Sequence, residues 1–207
     1  AAAPSERANV IAHTLVCLPI LIVAAAVVVH LRERLGSAVT ALAEQAQTDP
    51  LTGVANRRVL GSLLEYEITR HRRNTLPLSV VVLDLDGFKQ VNDTHGHQAG
   101  DRLLCRVAET LRATVREQDT VCRQGGDEFC VVAPETGAAE GAALAGRIRE
   151  ALGTLDAGGV PLSASAGVAT FPADGASADR LLARADHAQI ADKAARRAGR
   201  DALAVAR

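Results

Sequence analysis

The chain has 207 residues, a formal net charge of −1 and a hydrophobic content of 48%. Near-neutrality leaves no basic footprint for a nucleic acid polymer, and 2% aromatic residues with no Trp leave few platforms for stacking bases. The length suits one domain with an extension and a core of ordinary size. No methionine occurs, position 1 included, which predicts a fragment or processed product. Cys17, Cys105, Cys122 and Cys130 lack metal-binding spacing and read as reduced thiols, Cys122 and Cys130 flanking a turn where a cross-strand disulfide is conceivable.

After an N-terminal flank over 1–9, the run Val10–Leu31 contains no Asp, Glu, Lys or Arg. At about 1.5 Å per residue it spans roughly 30 Å, enough to cross a bilayer core, and exceeds the apolar core of a signal peptide. Arg32 and Arg34 follow it against Arg7 before it, which puts the C-terminal side in the cytoplasm. The expectation is a transmembrane helix in the inner (cytoplasmic) membrane. Residues 32–47 then read as a helical linker. Leu31, Leu35, Ala38, Leu42 and Gln45 alternate spacings of four and three, a coiled-coil seam that predicts a parallel dimer.

Residues 48–207 read as the globular domain. The turn-rich DPLTGVANRR (Asp49–Arg58) leads into a helix over Arg57–Arg72. Pro77–Asp84 is a near-continuous apolar run, the mark of a strand covered on both faces. Asp84 ends it, where ligands bind in open α/β sheets, and Asp86 shares its face if strand geometry persists. The loop THGHQAGD, punctuated by Gly96 and Gly100, precedes a helix over Arg102–Val115. Two β-favouring runs, Thr120–Arg123 and Phe129–Val132, flank Gly125, Gly126, Asp127 and Glu128, the pattern of a hairpin turn. Adjacent carboxylates at such a tip repel unless a cation sits there, and Mg²⁺ binds through one or two carboxylates plus substrate phosphates. A helix over Ala138–Leu155, a strand over Val160–Phe171 and a helix over Ala178–Ala198 complete an α/β domain whose mixed central sheet is flanked by helices.

GGDEF at Gly125–Phe129 resembles the signature of the GGDEF-domain diguanylate cyclases, and the resemblance extends over about Thr48–Arg207. DPLTGVANRR is similar to the family's entry motif, DLDGFKQVNDTHGHQAGD to its substrate loop, and SAGVATFPADG (Ser165–Gly175) to its late strand. The resemblance implies a nucleotidyl cyclase/polymerase palm-like fold that condenses two GTP into cyclic di-GMP and two pyrophosphates with Mg²⁺ (or Mn²⁺). It implies metal binding by Asp84, the Leu85 carbonyl and Asp127, with Glu128 assisting. Asp127 would also activate the 3′-hydroxyl. Gly125 and Gly126 would leave room for the nucleotide, Phe88 and Lys89 would hold phosphates, and Asn92 and Asp101 would read guanine. In the last helix either Lys193 or Arg196 would precede Gly199–Arg200 as phosphate cations. The usual apolar-Tyr stretch is replaced there by HAQIADKAARRAG.

Arg116 and Asp119 fit the family's RxxD pattern for product inhibition, with Arg147 in support. A symmetric product from single-GTP sites implies a homodimer. The rival expectation is a non-catalytic cyclic di-GMP receptor. A third is a cyclase closing a ring on one GTP.

Overall fold

The computed structural model describes residues 25, 27–34, 47–160 and 162–205, with side chains to residue 199 in the last helix. Ala1–Ala46 and Gln47–Arg207 are separate units. In the first, residues 27–34 are helical. Most of the expected span over 10–31 and of the linker over 32–47, together with Cys17, lies outside the described residues. Among the described residues no helix is long and apolar enough to cross a membrane.

The second unit is built on a five-stranded sheet ordered β1-β3-β4-β2-β5. The strands are β1 (Ala55–Asn56), β2 (Leu78–Asp86), β3 (Thr120–Gly125), β4 (Glu128–Pro134) and β5 (Ser163–Phe171). The helices are α1 (Arg57–Asn74), α2 (Phe88–His95), α3 (His97–Thr114), α4 (Ala138–Gly153) and α5 (Ala178–Val205). Only β1 and β3 pair in parallel, so the sheet is mixed, as the element order predicts.

β2 lies between β4 and β5, and its alternate residues enter different cores. Val81, Leu83 and Leu85 pack under α3 and α4 with Leu111, Phe129 and Ile148. Val80 and Val82 pack under α1 and α5 with Leu64, Cys130 and Leu181. Both faces are therefore apolar over Val80–Leu83, and polar alternation sets in only with Asp84 and Asp86. Cys122 and Cys130 are cross-strand partners, buried and free. Burial pushes the Cys122 thiol up to about 12, so it stays protonated and unreactive.

Local chemistry sets the helix ends. Asn56 caps α1, its Oδ1 accepting from the Arg58 and Val59 amides at 3.1 Å. The expected loop over 94–101 is a correction: α2 occupies Phe88–His95 and α3 begins at His97. Gly96 alone makes the break, at φ 80° and ψ 162°, a conformation other residues rarely adopt. Gly100, read as loop punctuation, is instead a buried helical residue.

Candidate active site

β2 runs two residues further than the apolar run, so Asp84 lies inside the strand and not at its end. The extension persists because Asp86 is itself paired: its Cα partner is Ser163, and its Oδ2 accepts from the Ser163 and Ser165 hydroxyls at 3.2 and 2.8 Å. Asp84 and Asp86 thus continue the α1/α5 face begun by Val80 and Val82.

The neighbouring hairpin delivers the second carboxylate. Gly125 and Gly126 turn the chain at φ 148° and 52°, and a Cβ on either would meet nothing within 4 Å. Asp84 has Glu128 as its Cα partner, and the Leu85 amide donates to the Asp127 carbonyl at 3.4 Å. The turn therefore sits directly against the second half of β2. Arg123 holds it from the other side, with Nε and one terminal nitrogen on the Gly126 carbonyl at 3.1 and 2.7 Å. Its other terminal nitrogen reaches Asp49 Oδ1 at 3.0 Å. Asp49 also accepts from the amide and hydroxyl of Thr52. Burial raises the Asp49 pKa, but the bonds from Thr52 and Arg123 more than offset it and hold the carboxyl below its ordinary value.

Asp127 is the electrostatic centre. Its pKa is raised, chiefly by burial and further by the charge of Asp84, against partial relief from its own backbone amide, Lys193 and Arg123. Lys193 reaches in from α5, its Nζ 2.5 Å from Asp84 Oδ1. Asp84, Asp127 and Lys193 therefore form one interacting cluster.

The donor set fits a hard divalent ion that completes its shell with substrate oxygens. Among the described residues no group of three or more His, Cys, Asp or Glu comes together that could hold a metal ion, so any ion here would rest on fewer protein carboxylates. Asp84 and Asp127 act on each other electrostatically, and the Lys193 ammonium on Asp84 shows that this carboxylate already attracts a cation.

α2 and α3 carry the next group. Asn92 Oδ1 is buried without a hydrogen-bond partner, a polar atom left for something the fold does not supply. It lies against Gly100: a Cβ there would sit 1.9 Å from Asn92 Oδ1 and 3.2 Å from the Phe88 ring. Phe88 packs against the α3/α4 core, while Lys89 and Asp101 are exposed. We expect Gly100→Ala to push the Asn92 amide aside and raise the KM for the ligand that meets it about tenfold, with kcat nearly unchanged. Melting should drop by only a few degrees, since a side-chain tip and not backbone must yield. Steady-state kinetics and a thermal melt check both.

In α5 the two candidate cations are separated by geometry. Lys193 enters the acidic cluster, whereas Arg196 Nε donates to Asp192 Oδ2 at 3.1 Å. The Arg200 side chain lies outside the described residues. Reading by motif missed Asp192 and Arg123. Asp192 also accepts from the Ala166 amide at 2.9 Å and from Arg149 at 3.3 Å, tying α5 to β5 and α4. The only signal for it was an i,i+4 pairing with Arg196. Arg123 lies three residues before Gly126, and nothing in the letters announces its bridge to Asp49.

Arg116 and Asp119 close a turn of their own, with the Arg116 amide donating to Asp119 Oδ2 at 2.9 Å. Asp119 Oδ1 is buried and unpartnered. Arg116, Asp119 and Arg147 line one cavity of about 110 Å³, together with Thr136 and Glu140. The structure thus brings together the three residues singled out for product binding.

Residues 46–199 match the family model described as "Diguanylate cyclase, GGDEF domain". The chain belongs to the GGDEF-domain family of diguanylate cyclases. Diguanylate cyclase DgcP of Pseudomonas aeruginosa is 42% identical over 167 residues, which are 79% of this chain and 24% of that protein. The chain spans about a quarter of the length of the first curated relatives it matches, 24% and 22%. Among solved structures, a sensory box/GGDEF family protein from Caulobacter crescentus is 40% identical at TM-score 0.68, over 72% of this chain and 99% of that one. The coiled coil and GGDEF domain of DgcB from Caulobacter crescentus, solved in complex with c-di-GMP, is 28% identical at TM-score 0.67. That likeness covers 84% of this chain and 95% of the solved one.

Proposed function

We propose that this protein is a diguanylate cyclase, a nucleotidyltransferase that joins two GTP into cyclic di-GMP and releases two pyrophosphates. The observation that carries the reading is the shared electrostatic site of Asp84 and Asp127, which meet from a strand and a β-turn. Transfer at the α-phosphorus needs an in-line hydroxyl and cations against the phosphate oxygens. Asp84, Asp127 and the Leu85 carbonyl would hold Mg²⁺ or Mn²⁺, with Glu128 beside them. Bound there, the ion would neutralise phosphate charge and make a 3′-hydroxyl more acidic.

The chain's own groups do the rest. Asp127 accepts the 3′-hydroxyl proton, and its raised pKa suits a proton acceptor better than that of an ordinary surface carboxylate. The open space over Gly125 and Gly126 admits the nucleotide. The first amides of α2, at Phe88 and Lys89, have no intrahelical partner and favour phosphate. Lys89 adds its charge, and Lys193 leads Arg196 and Arg200 as the α5 cation. Asp101 accepts from guanine N1–H and one hydrogen of N2–H₂, and Asn92 Oδ1, the buried orphan, accepts the other. Adenine cannot offer that pattern and is rejected.

One such site holds one GTP, so two copies must face each other to make a two-fold product. Linker residues 32–47 would pair them and raise their effective concentration, and residues 10–31 would fix them at the membrane with the catalytic unit in the cytoplasm.

Incubation of the purified chain with GTP and Mg²⁺, followed by chromatography and mass determination, tests the activity. Cyclic di-GMP formed at a rate that falls more than in proportion on dilution is the expected result. A mononucleotide ring, or no product from folded protein, refutes it; the latter with cyclic di-GMP bound at Arg116 and Asp119 leaves a receptor.

The cavity between Arg116 and Arg147 serves product feedback, through a coupling between separate sites. We expect Arg116→Ala to leave the initial rate unchanged and raise the cyclic di-GMP concentration for half-inhibition at least tenfold, because a bidentate charged contact is lost. Progress curves with added product read this directly.

A further inference from the structure

We infer that Lys193 is the resident counter-cation of the acidic site: its ammonium holds Asp84 until a divalent ion takes that carboxylate, and metal loading requires its release. The inference rests on the reading of Asp84 and Asp127 as metal-binding carboxylates. It is carried by the contact of 2.5 Å between Lys193 Nζ and Asp84 Oδ1, in a pair that is largely shielded, with side chains 28% and 18% exposed. Asp127 comes beside Asp84 on the adjoining turn, whose Asp127 carbonyl accepts from the Leu85 amide at 3.4 Å, and two negative charges there repel when no metal is bound.

Among the described residues, Arg123 and Arg196 have other partners. Arg123 spends Nε and one terminal nitrogen on the Gly126 carbonyl and the other on Asp49. Arg196 is bound to Asp192. Of the two described cations that act on Asp127, Lys193 and Arg123, it is Lys193 that contacts Asp84, on a stem long enough to withdraw.

The helix carrying it is anchored one residue earlier. Asp192 accepts from the Ala166 amide on β5, from Arg149 on α4 and from Arg196. Gly167 meets the α5 backbone at Ala185 and Gln189. The backbone at 185–192 is thereby held on the sheet, and exchange needs only the four-carbon lysine stem to rotate. An ammonium and a divalent ion cannot both take Asp84 Oδ1 without repelling each other. They compete, and Lys193 sets the metal concentration at which the site fills.

The test needs no turnover. Mn²⁺ is titrated into the nucleotide-free full chain, with the free ion read by electron paramagnetic resonance. Wild type is compared with Lys193→Met and with Arg184→Met, which removes the same charge from the same helix away from the cluster. Lys193→Met should bind Mn²⁺ roughly fivefold more tightly, the scale of one lost competing ion pair, and Arg184→Met should match wild type. Equal or weaker binding by Lys193→Met overturns the counter-cation role while leaving the metal site intact. No Mn²⁺ bound by any of the three, with a non-hydrolysable GTP analogue added as well as without it, overturns the metal site itself, and this inference with it. Should Lys193→Met fail to fold, the wild-type lysine ammonium signals in NMR decide the question. A slowly exchanging Lys193 ammonium that is lost on adding Mg²⁺ supports the exchange, and one that persists at saturation refutes it.

Discussion

Asp127→Asn is expected to lower cyclic di-GMP synthesis about 10³-fold, the span seen when a proton acceptor is removed from a transition state. The substitution keeps the shape of the side chain and deletes its charge, so both proton acceptance and cation binding are lost together. Stability should move the other way. Burial and Asp84 raise the Asp127 pKa, so the folded protein keeps this proton to a higher pH than the unfolded chain does. As pH rises from the ordinary carboxylate value through the raised one, the folded state gives up a proton the unfolded state has already lost. Stability contributed by this group therefore falls across that window. At neutral pH the metal-free Asn variant should melt no lower than its parent. Chromatographic assay beside calorimetry separates the two effects, and a folded variant that keeps synthesis within tenfold of its parent would remove Asp127 from its catalytic role.

Gly167→Ala is expected to destabilise the domain by about 3 kcal/mol, or roughly 6–12 °C in melting temperature. The added Cβ would lie 2.0 Å from the Ala185 carbonyl oxygen and 2.3 Å from the Gln189 amide nitrogen. These are backbone atoms of α5 packed on β5, so no rotamer change relieves them. The helix has to lift, carrying Lys193 from Asp84 and Asp192 from the Ala166 amide. A loss of activity should accompany the loss of stability, unlike the effect at Gly100, where the obstruction is one amide tip. Circular dichroism melts and a Mn²⁺ titration on the same sample measure both. A melting point within a degree of wild type would show that α5 does not sit this tightly on the sheet.

The two glycines show why motif reading reached some parts of this protein and not others. Both lie inside segments recognisable as family motifs, but neither segment says what the glycine touches. Gly100 reads as punctuation because a glycine inside a helix costs about 1 kcal/mol relative to alanine. Tertiary packing overrode that preference, since only a residue without Cβ lets Asn92 and Phe88 lie across α3. The same limit applies to Lys193 and Arg196. Their spacing on a helix made either acceptable, and the choice came from Asp192 meeting a β5 amide, a contact 26 residues away in sequence.

What the sequence determined by itself was the chemistry and its order along the chain: a buried strand ending in acidic residues, a glycine turn with two more, and helices between them. Periodicity and turn preference are local properties, and they carry that far. The tertiary structure decided which charges share one small volume. It set Asp84 within the strand beside Asp127, brought Lys193 across 109 residues to balance them, and gave Arg123 two partners at once. Electrostatic energy depends on separation in space and on the water excluded between charges, and neither is written in the spacing of residues along a chain.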